Sequence, residues 1–170
     1  MGYELSEVVD YAIRAPATEP SLIEGRRYAA LLHATSRVDK LWAEASWIDL
    51  GRQLSAAGSV CVLPWGSDEE KIRSERLAKY IPNAVIPPRL PLDQAAALLA
   101  GAWVVVGVDT GLSHLAAALK IPVVGIYCAT DPGLTGIYPA SDARAANLGG
   151  KNNPPSVAQV LAAIKKVADD

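Results

Sequence analysis

The stretch VVGVDTGLSHLAAALKIPVVGIY, residues 105–127, contains two apolar strand-like runs on either side of a short amphipathic helix. A polar island, Asp109-Thr110-Gly111, separates the first run from the helix, and His114 follows in the first helical turn. Runs that are apolar throughout are typical of strands buried on both faces of a parallel sheet. The stretch therefore predicts one strand–helix–strand unit of an α/β layer.

The same alternation continues along most of the chain. Strands are predicted at 28–34, 59–64, 103–108 and 122–127, with a weak one at 83–87. Helices are predicted over 47–54, 67–80, 92–100 and 112–119, and a Ser156/Gln159 capping box opens a last helix. The segment Gly149-Gly150-Lys151 reads as a plain loop. This order predicts a Rossmann-like, doubly wound parallel sheet with helices on both faces.

Composition narrows the class of protein. The chain has 170 residues, 51% of them hydrophobic, and a net charge of −2 with no dense basic block, which gives no support to nucleic-acid binding. Cys61 and Cys128 lie in apolar strand-like contexts, so we expect no disulfide framework and a reducing compartment. No Cys/His cluster has metal-ligand spacing. The sequence carries no signal-peptide pattern, and its longest apolar run, 95–108, is shorter than the roughly 18–20 residues of a membrane span.

Three strand-to-helix junctions carry polar side chains. The first is 33–37 with Lys40 just beyond it, the second is 64–67 followed by Glu70, and the third is 109–111. Because parallel strands end at the same edge of a sheet, these junctions are expected to meet where such sheets bind their ligands.

Two interpretations of the third junction remain open. A helix N-terminus attracts phosphate, and Gly111 would let it approach the backbone closely. Alternatively, Asp109 or Thr110 caps the helix and Gly111 relieves a tight turn. His114 lies off the predicted apolar face, where the helix dipole favours a neutral imidazole, and an ordinary surface histidine fits equally well.

The other two junctions are open in the same way. Thr35, Ser36 and Lys40 can hold a phosphate or form a solvated loop. Glu70 can bind a ribose diol or serve as the third residue of a capping box. Trp65 can wall an adenine pocket or simply pack. The phosphate-binding GxxxxGK[ST], dinucleotide-binding GxGxxG and hydrolase GxSxG motifs are absent from the sequence.

Five segments together resemble a known family: HATSRVDKLW (33–42), LPWGSDEEKIRSERLA (63–78), VDTGLSHLAAAL (108–119), IPVVGIY (121–127) and TDPGL (130–134). They are similar to the C-terminal domain of the lipopolysaccharide heptosyltransferases, glycosyltransferase family 9, above all to members that add the first heptose of the inner core. The likeness extends over nearly everything from about Tyr28 onward.

The resemblance implies a GT-B architecture, in which two Rossmann-like domains face each other across a cleft. Residues 28–170 would be the domain that binds the donor, ADP-heptose, and residues 1–27 a linker or the remnant of the preceding domain. That N-terminal domain would bind the lipid acceptor and supply the catalytic carboxylate, so no catalytic residue is expected in this sequence. Transfer would proceed with inversion, without a metal, at the cytoplasmic face of the inner membrane.

The resemblance also implies roles for individual residues. Thr35, Ser36 and Lys40 would contact the diphosphate and the sugar, and Glu70 would hold the ribose. The remaining donor contacts implied are Leu90 near the adenine, Asp109 at the heptose, the Thr110-Gly111-Leu112 backbone at a phosphate, and His114 in support of that site.

Two positions depart from the family pattern. Val38 stands where an acid is often found, and Leu41 where a polar residue usually follows the lysine. These departures leave open transfer of the second heptose or of another nucleotide-linked sugar. A non-catalytic module that pairs with a partner chain, or with itself through the vacated domain interface, is a further alternative. In two-domain relatives of this architecture the last helix tends to cross back toward the N-terminal domain, and here it is expected to dock elsewhere or to fray.

Overall fold

The computed structural model describes residue 23 and residues 25–138 and 144–168. Most of the predicted linker at 1–27 lies outside these residues, so its role and the domain boundary at 28 stay predictions. The described part forms five strands, β1 (Tyr28–Leu32), β2 (Val60–Val62), β3 (Val104–Val108), β4 (Val123–Tyr127) and β5 (Ala145–Gly149). Its helices are a 3-10 turn (Val38–Lys40), α1 (Glu44–Ala56), α2 (Asp68–Ala78), α3 (Leu92–Gly101), α4 (Gly111–Ala118), α5 (Pro132–Thr135) and α6 (Val157–Ala168).

The five strands form one parallel sheet in the order β2-β1-β3-β4-β5. The central register pairs Ala30 with Val105 and Leu31 with Val106. The chain moves outward from β1 to β2, returns to β3 on the other side of β1, and then continues to β4 and β5. This confirms the predicted Rossmann-like fold and places its topological switch point between the carboxyl ends of β1 and β3.

Helices cover both faces of the sheet. On one face, α1, α2 and α6 pack over the strands and bury Trp47, Leu77 and Ile164. On the other face, α3 and α4 bury Leu98 and Ala116. Successive β1 residues alternate between the two cores, as the pleat of a strand buried on both sides requires.

The described part of the last helix packs on the core of this domain, as the first of the two expectations has it, and the alternative expectation of fraying is wrong for these residues. The predicted capping box is confirmed, since the Gln159 amide donates to Ser156 Oγ at 3.2 Å and the Ser156 amide to Gln159 Oε1 at 2.8 Å. Val160, Ile164 and Val167 are buried against the first core. Just before α6, Pro155 O accepts a 3.0 Å hydrogen bond from Trp42 Nε1, which ties this segment to the first junction.

The structure differs from the predictions at a predicted strand, 83–87, and at a predicted loop, 149–151. The segment 83–87 makes only an isolated parallel bridge, Val62 to Val85, because prolines on both sides lack amide donors and Asn83 has a left-handed φ of 56°. Conversely, Gly149 is the last residue of β5, not part of a plain loop. That strand escaped prediction because its sequence, AANLG, has little of the β-branched and aromatic content typical of strands.

The buried face of α4 also differs from the prediction. The buried residues of α4 are small: Ser113 and Ala116 to Ala118. The three leucines of the predicted apolar face, Leu112, Leu115 and Leu119, are only partly buried. The close approach is made at Gly107 of β3, where an added Cβ would overlap Ser113 Oγ and lie 3.0 Å from Leu32 Cβ. Ser113 Oγ donates to Val108 O at 2.9 Å, which fixes the start of α4 on the end of β3.

Candidate ligand-binding site at the carboxyl edge of the sheet

The three polar junctions meet at the carboxyl ends of β1, β2 and β3. They enclose a cleft of about 310 Å³, called here the nucleotide cleft after the ligand that the sequence resemblance implies. Its walls combine apolar and polar side chains from all three junctions and from the segment before α3. The lining residues are Leu32, Ala34, Pro64, Trp65, Gly66, Glu70, Leu90, Leu92, Ala95, Thr110 and Leu112.

A partly buried ion pair joins the first junction to the third. Lys40 Nζ lies 2.7 Å from Asp109 Oδ2, and the two side chains are only 19% and 10% exposed. Lys40 ends the 3-10 turn after β1, and Asp109 directly follows β3, so the pair bridges the switch point. The ammonium group thus lies beside the N-terminus of α4, a position from which it can reach an anion in the crevice.

The structure does not support the interpretation of the third junction as a plain helix cap. Thr110 occupies the N-cap position, but no side chain caps the helix there. The Asp109 carboxylate accepts hydrogen bonds from Lys40 and Thr130 instead. Gly111 has an ordinary negative-φ backbone, and a Cβ added to it would meet nothing within 4 Å. No tight turn requires this glycine, and its backbone faces open space.

His114 lies near Asp109 at the exposed side of the site. Its side chain is 44% exposed, and its Nε2 lies 3.9 Å from Asp109 Oδ1, beyond hydrogen-bond distance. It lies off the buried face of α4, as its spacing predicts. Its position allows it to face a ligand bound beside Asp109.

Glu70 has a structural contact and also lines the nucleotide cleft. Its Oε2 accepts a 2.7 Å hydrogen bond from the Gly66 amide, and its own amide donates to Ser67 Oγ at 3.3 Å. The predicted capping box is therefore displaced: Ser67 caps α2, but the carboxylate returns to Gly66 and not to the Ser67 amide. The result is a fixed loop with a carboxyl group at the cleft wall.

Trp65 and Leu90 belong to the apolar part of the cleft wall. Trp65 Nε1 donates to Pro87 O at 2.8 Å, which fixes the indole against the segment leading into α3. Trp65 therefore packs against this segment and also lines the cleft, while its contact with an adenine stays a prediction.

A second cleft of about 450 Å³ adjoins the first and shares Ala34 and Glu70 with it. Thr35 and Ser36 line this second cleft, together with Val38. The hydroxyls of the first junction thus lie next to the nucleotide cleft without lining it.

His33 connects the first two junctions from inside the fold. Its Nε2 lies 2.8 Å from Ser74 Oγ, and Ser74 Oγ donates to Leu63 O at 3.2 Å. Because Ser74 Oγ donates its proton to Leu63 O, His33 Nε2 is the donor to Ser74 Oγ. Burial, reinforced by the positive charge of Arg73, lowers the pKa of His33 to about 4.

A fourth junction, which the sequence analysis did not assign to the site, also reaches Asp109. Thr130, in the loop after β4, donates from Oγ1 to Asp109 Oδ2 at 3.0 Å. Burial and, second, the negative charge of Asp109 raise the pKa of Tyr127 to about 12, so its phenol stays protonated at neutral pH. The signal available in the sequence was that β4, like the other strands, ends in a polar segment at the same edge of the sheet.

Within residues 23, 25–138 and 144–168, no three His, Cys, Asp or Glu side chains are grouped so as to hold a metal ion. In the same part of the chain, no helix combines the length and apolarity that crossing a membrane requires.

The family described as glycosyltransferase family 9 (heptosyltransferase) matches residues 2–165 of the chain. Lipopolysaccharide heptosyltransferase 1 of Salmonella typhimurium (strain LT2) is 45% identical over 129 residues, which are 76% of this chain and 41% of that relative. The chain thus spans about two fifths of the relative's length.

Solved structures agree with the sequence match. E. coli heptosyltransferase WaaC with ADP superposes with a TM-score of 0.77 at 38% identity, covering 88% of this chain and 46% of that one. The same enzyme with ADP-2-deoxy-2-fluoro heptose gives a TM-score of 0.69 at 37% identity, covering 87% of this chain and 44% of that one.

Proposed function

Because this chain belongs to glycosyltransferase family 9, the heptosyltransferases, we propose that it forms the donor-binding half of a lipopolysaccharide heptosyltransferase. The donor is ADP-heptose and the acceptor is the lipid-linked inner core. The observation that carries this proposal is the meeting of the Lys40–Asp109 pair, Glu70 and the open backbone of Gly111 at one edge of the sheet. Relatives of this fold were solved with ADP and with an ADP-heptose analogue.

The nucleoside half of the donor occupies the nucleotide cleft. Trp65, Leu90 and Leu112 provide apolar walls for adenine, a flat and weakly polar ring. Glu70, fixed by the Gly66 amide, offers a carboxylate to the ribose hydroxyls. The cleft volume of about 310 Å³ lies at the small end of the range for small-molecule sites, which suits one half of a nucleotide sugar.

The diphosphate lies at the switch point. The N-terminus of α4 has no side-chain cap, so its amide groups and partial positive charge are directed at the ligand. Lys40 supplies a full positive charge, and Thr35 and Ser36 supply hydroxyl donors from the adjoining cleft. Asp109 faces the heptose, with His114 in support.

Electrostatic stabilisation of the leaving group is the catalytic contribution of this half. As an acceptor hydroxyl attacks the anomeric carbon, the bond to the β-phosphate oxygen breaks and ADP carries away the electron pair, inverting the sugar. Lys40 and the α4 amides stabilise that growing charge without a metal ion. The acceptor and the general base that takes the hydroxyl proton belong to the N-terminal half of the family's fold, so the chain by itself binds donor without turnover. In the full enzyme it works at the cytoplasmic face of the inner membrane.

Titration calorimetry of the 170-residue chain with ADP and ADP-heptose tests the proposal. We expect saturable binding of both, and weaker binding of UDP- and GDP-linked sugars because the cleft is shaped for adenine. A folded chain that gives no heat with millimolar ADP or ADP-heptose contradicts the proposal. Tighter binding of another nucleotide sugar shifts the assignment to a different donor.

A second candidate is a non-catalytic module that pairs with a partner chain. It is favoured by three exposed apolar side chains at the carboxyl edge, Val38, Leu92 and Leu134, which are 82%, 71% and 86% exposed. Light scattering after size-exclusion chromatography distinguishes self-association through this edge from a monomer that binds ADP.

A further inference from the structure

The loop after β4 holds the Asp109 carboxylate from the side opposite β1. Thr130 Oγ1 donates to Asp109 Oδ2 at 3.0 Å, and Lys40 Nζ donates to the same oxygen at 2.7 Å. Both donors therefore act on Oδ2. The other oxygen, Oδ1, has His114 Nε2 nearby at 3.9 Å, which leaves Oδ1 able to accept from a ligand hydroxyl.

The two donors differ in whether a bound anion competes with Asp109 for them. An anion at the N-terminus of α4 competes with Asp109 for the Lys40 ammonium, because a phosphate attracts the same charge at the same place. The Thr130 hydroxyl is neutral and has a single proton, which Asp109 accepts. Since the Asp109 side chain is only 10% exposed, a carboxylate that loses its lysine needs another donor to stay ordered.

The segment that carries Thr130 is fixed on both sides. Before it, the Asn152 amide donates to Cys128 O at 3.0 Å. After it, Asp131 caps α5 by accepting from the Gly133 amide at 2.8 Å. The hydroxyl is thus presented to Asp109 by a loop whose position does not depend on Lys40.

We propose that Thr130 is a positioning residue for sugar recognition: it keeps the Asp109 carboxylate aimed at the sugar of the donor when Lys40 turns toward the diphosphate. This inference rests on the proposed function, because it requires a nucleotide sugar in the cleft. It assigns to the fourth junction a part in discriminating the sugar-carrying donor from the bare nucleotide.

The test compares ADP with ADP-heptose on the Thr130→Val variant of the 170-residue chain, which removes the hydroxyl at nearly constant volume. We expect the Kd for ADP to stay within about twofold and the Kd for ADP-heptose to rise about fivefold, the usual effect of one lost hydrogen bond. Thr130→Ser should restore the ADP-heptose affinity. Thr135→Val in α5 is the matched control, because the Thr135 hydroxyl bonds to Asp131 O and not to Asp109.

A double-mutant cycle with Asp109→Ala, which leaves no acceptor for the threonine hydroxyl, shows whether Thr130 acts through Asp109. In the Asp109→Ala background, Thr130→Val should have no further effect on ADP-heptose binding. Equal losses of ADP and ADP-heptose affinity in Thr130→Val, or additive losses in the cycle, overturn the inference while leaving the proposed function intact. An Asp109→Ala variant with unchanged ADP-heptose affinity also overturns it.

Two further outcomes are decisive. A wild-type chain that binds neither ligand overturns the proposed function and this inference with it. If Thr130→Val melts below the assay temperature, Thr130→Ala and Thr130→Ser are compared in its place, and the same ratio of the two dissociation constants decides.

Discussion

Lys40 and Asp109, 69 residues apart in the chain, are joined by an ion pair of 2.7 Å across the switch point of the sheet. Each residue follows a different strand, so the pair forms only when β1 and β3 are neighbours. Both side chains are more than four-fifths buried, and removing either one leaves the other without its counter-charge. The pair is therefore a sensitive point of both the fold and the proposed donor site.

Lys40→Gln is expected to weaken ADP binding by about tenfold to a hundredfold, the range expected for losing a hydrogen bond to a charged group. Calorimetry measures the change, and circular dichroism verifies that the variant is folded. Lys79→Gln is the control, since Lys79 is an exposed lysine at the far end of α2. Equal effects of the two substitutions would mean that Lys40 acts only through the net charge of the chain.

Gly111→Ala separates a ligand role from a structural one. A methyl group there meets no protein atom within 4 Å, so stability should stay the same or rise by up to about 1 kcal/mol. ADP affinity should fall by about tenfold, because the methyl group enters the space assigned to the phosphate and disturbs backbone hydrogen bonds. Thermal unfolding and calorimetry give the two readouts.

Gly107→Ala is the matched contrast within the same strand–helix unit. Its methyl group would overlap Ser113 Oγ, so we expect a loss of stability of roughly 1–3 kcal/mol from overpacking. If Gly111→Ala loses as much stability as Gly107→Ala, the role of Gly111 is structural and not ligand binding.

His33 should make stability depend on pH between about 6.5 and 4. Its pKa falls from 6.5 in the unfolded chain to about 4 in the fold, mainly through burial and then through Arg73, while Glu44 opposes the shift. The unfolded chain therefore binds the proton first as the pH falls. The stabilisation is complete above pH 6.5 and is lost progressively toward pH 4, by about 3 kcal/mol in total.

Urea unfolding of wild type and His33→Gln across this range measures the effect. Glutamine keeps an amide donor for Ser74 but does not titrate, so the variant should show a smaller loss of stability on acidification. His114→Gln is the control, because His114 is the only other histidine and its side chain is 44% exposed. Parallel pH profiles for wild type and His33→Gln would contradict the assignment.

Glu70→Gln tests whether the carboxylate does more than hold the Gly66 amide. The amide oxygen of glutamine can still accept from Gly66, so the melting temperature should change little. ADP affinity should fall about fivefold if the charged oxygens also bind the ribose. Glu75→Gln on the exposed side of α2 provides the comparison, and an unchanged ADP affinity in Glu70→Gln would leave only the structural contact.

The parallel sheet and its ligand edge could be predicted from the sequence because both depend on local patterns. Apolar runs such as WVVVGV predict buried strands, and the loops that follow parallel strands lie together at the carboxyl edge of the sheet. The position of the Asp109 island at this edge of the sheet therefore follows from the sequence pattern, and the structure confirms it. The partner of its carboxylate was not predictable, because Lys40 and Thr130 reach it through strand order and not through spacing.

The errors share one physical origin, which is that tertiary contact outweighs local preference. β5 forms from AANLG because β4 offers it a full ladder of hydrogen bonds. The face of α4 that meets the sheet carries alanines and a serine, because Gly107 allows a close approach that leucines would prevent. Likewise, the Glu70 carboxylate accepts from the Gly66 amide and not from the Ser67 amide, although the Glu70 amide itself donates to Ser67 Oγ.

Because Trp65 lies in the cleft wall, its intrinsic fluorescence can report on a ligand bound in the cleft. Of the four tryptophans, Trp42 and Trp47 are buried against each other in the core, and Trp103 lies at the opposite end of the sheet beside Arg27. Trp65 alone among them touches the nucleotide cleft. Under the proposed function, an adenine ring stacked on Trp65 would quench one of the four tryptophans, so intrinsic fluorescence would follow occupancy of the cleft without any label.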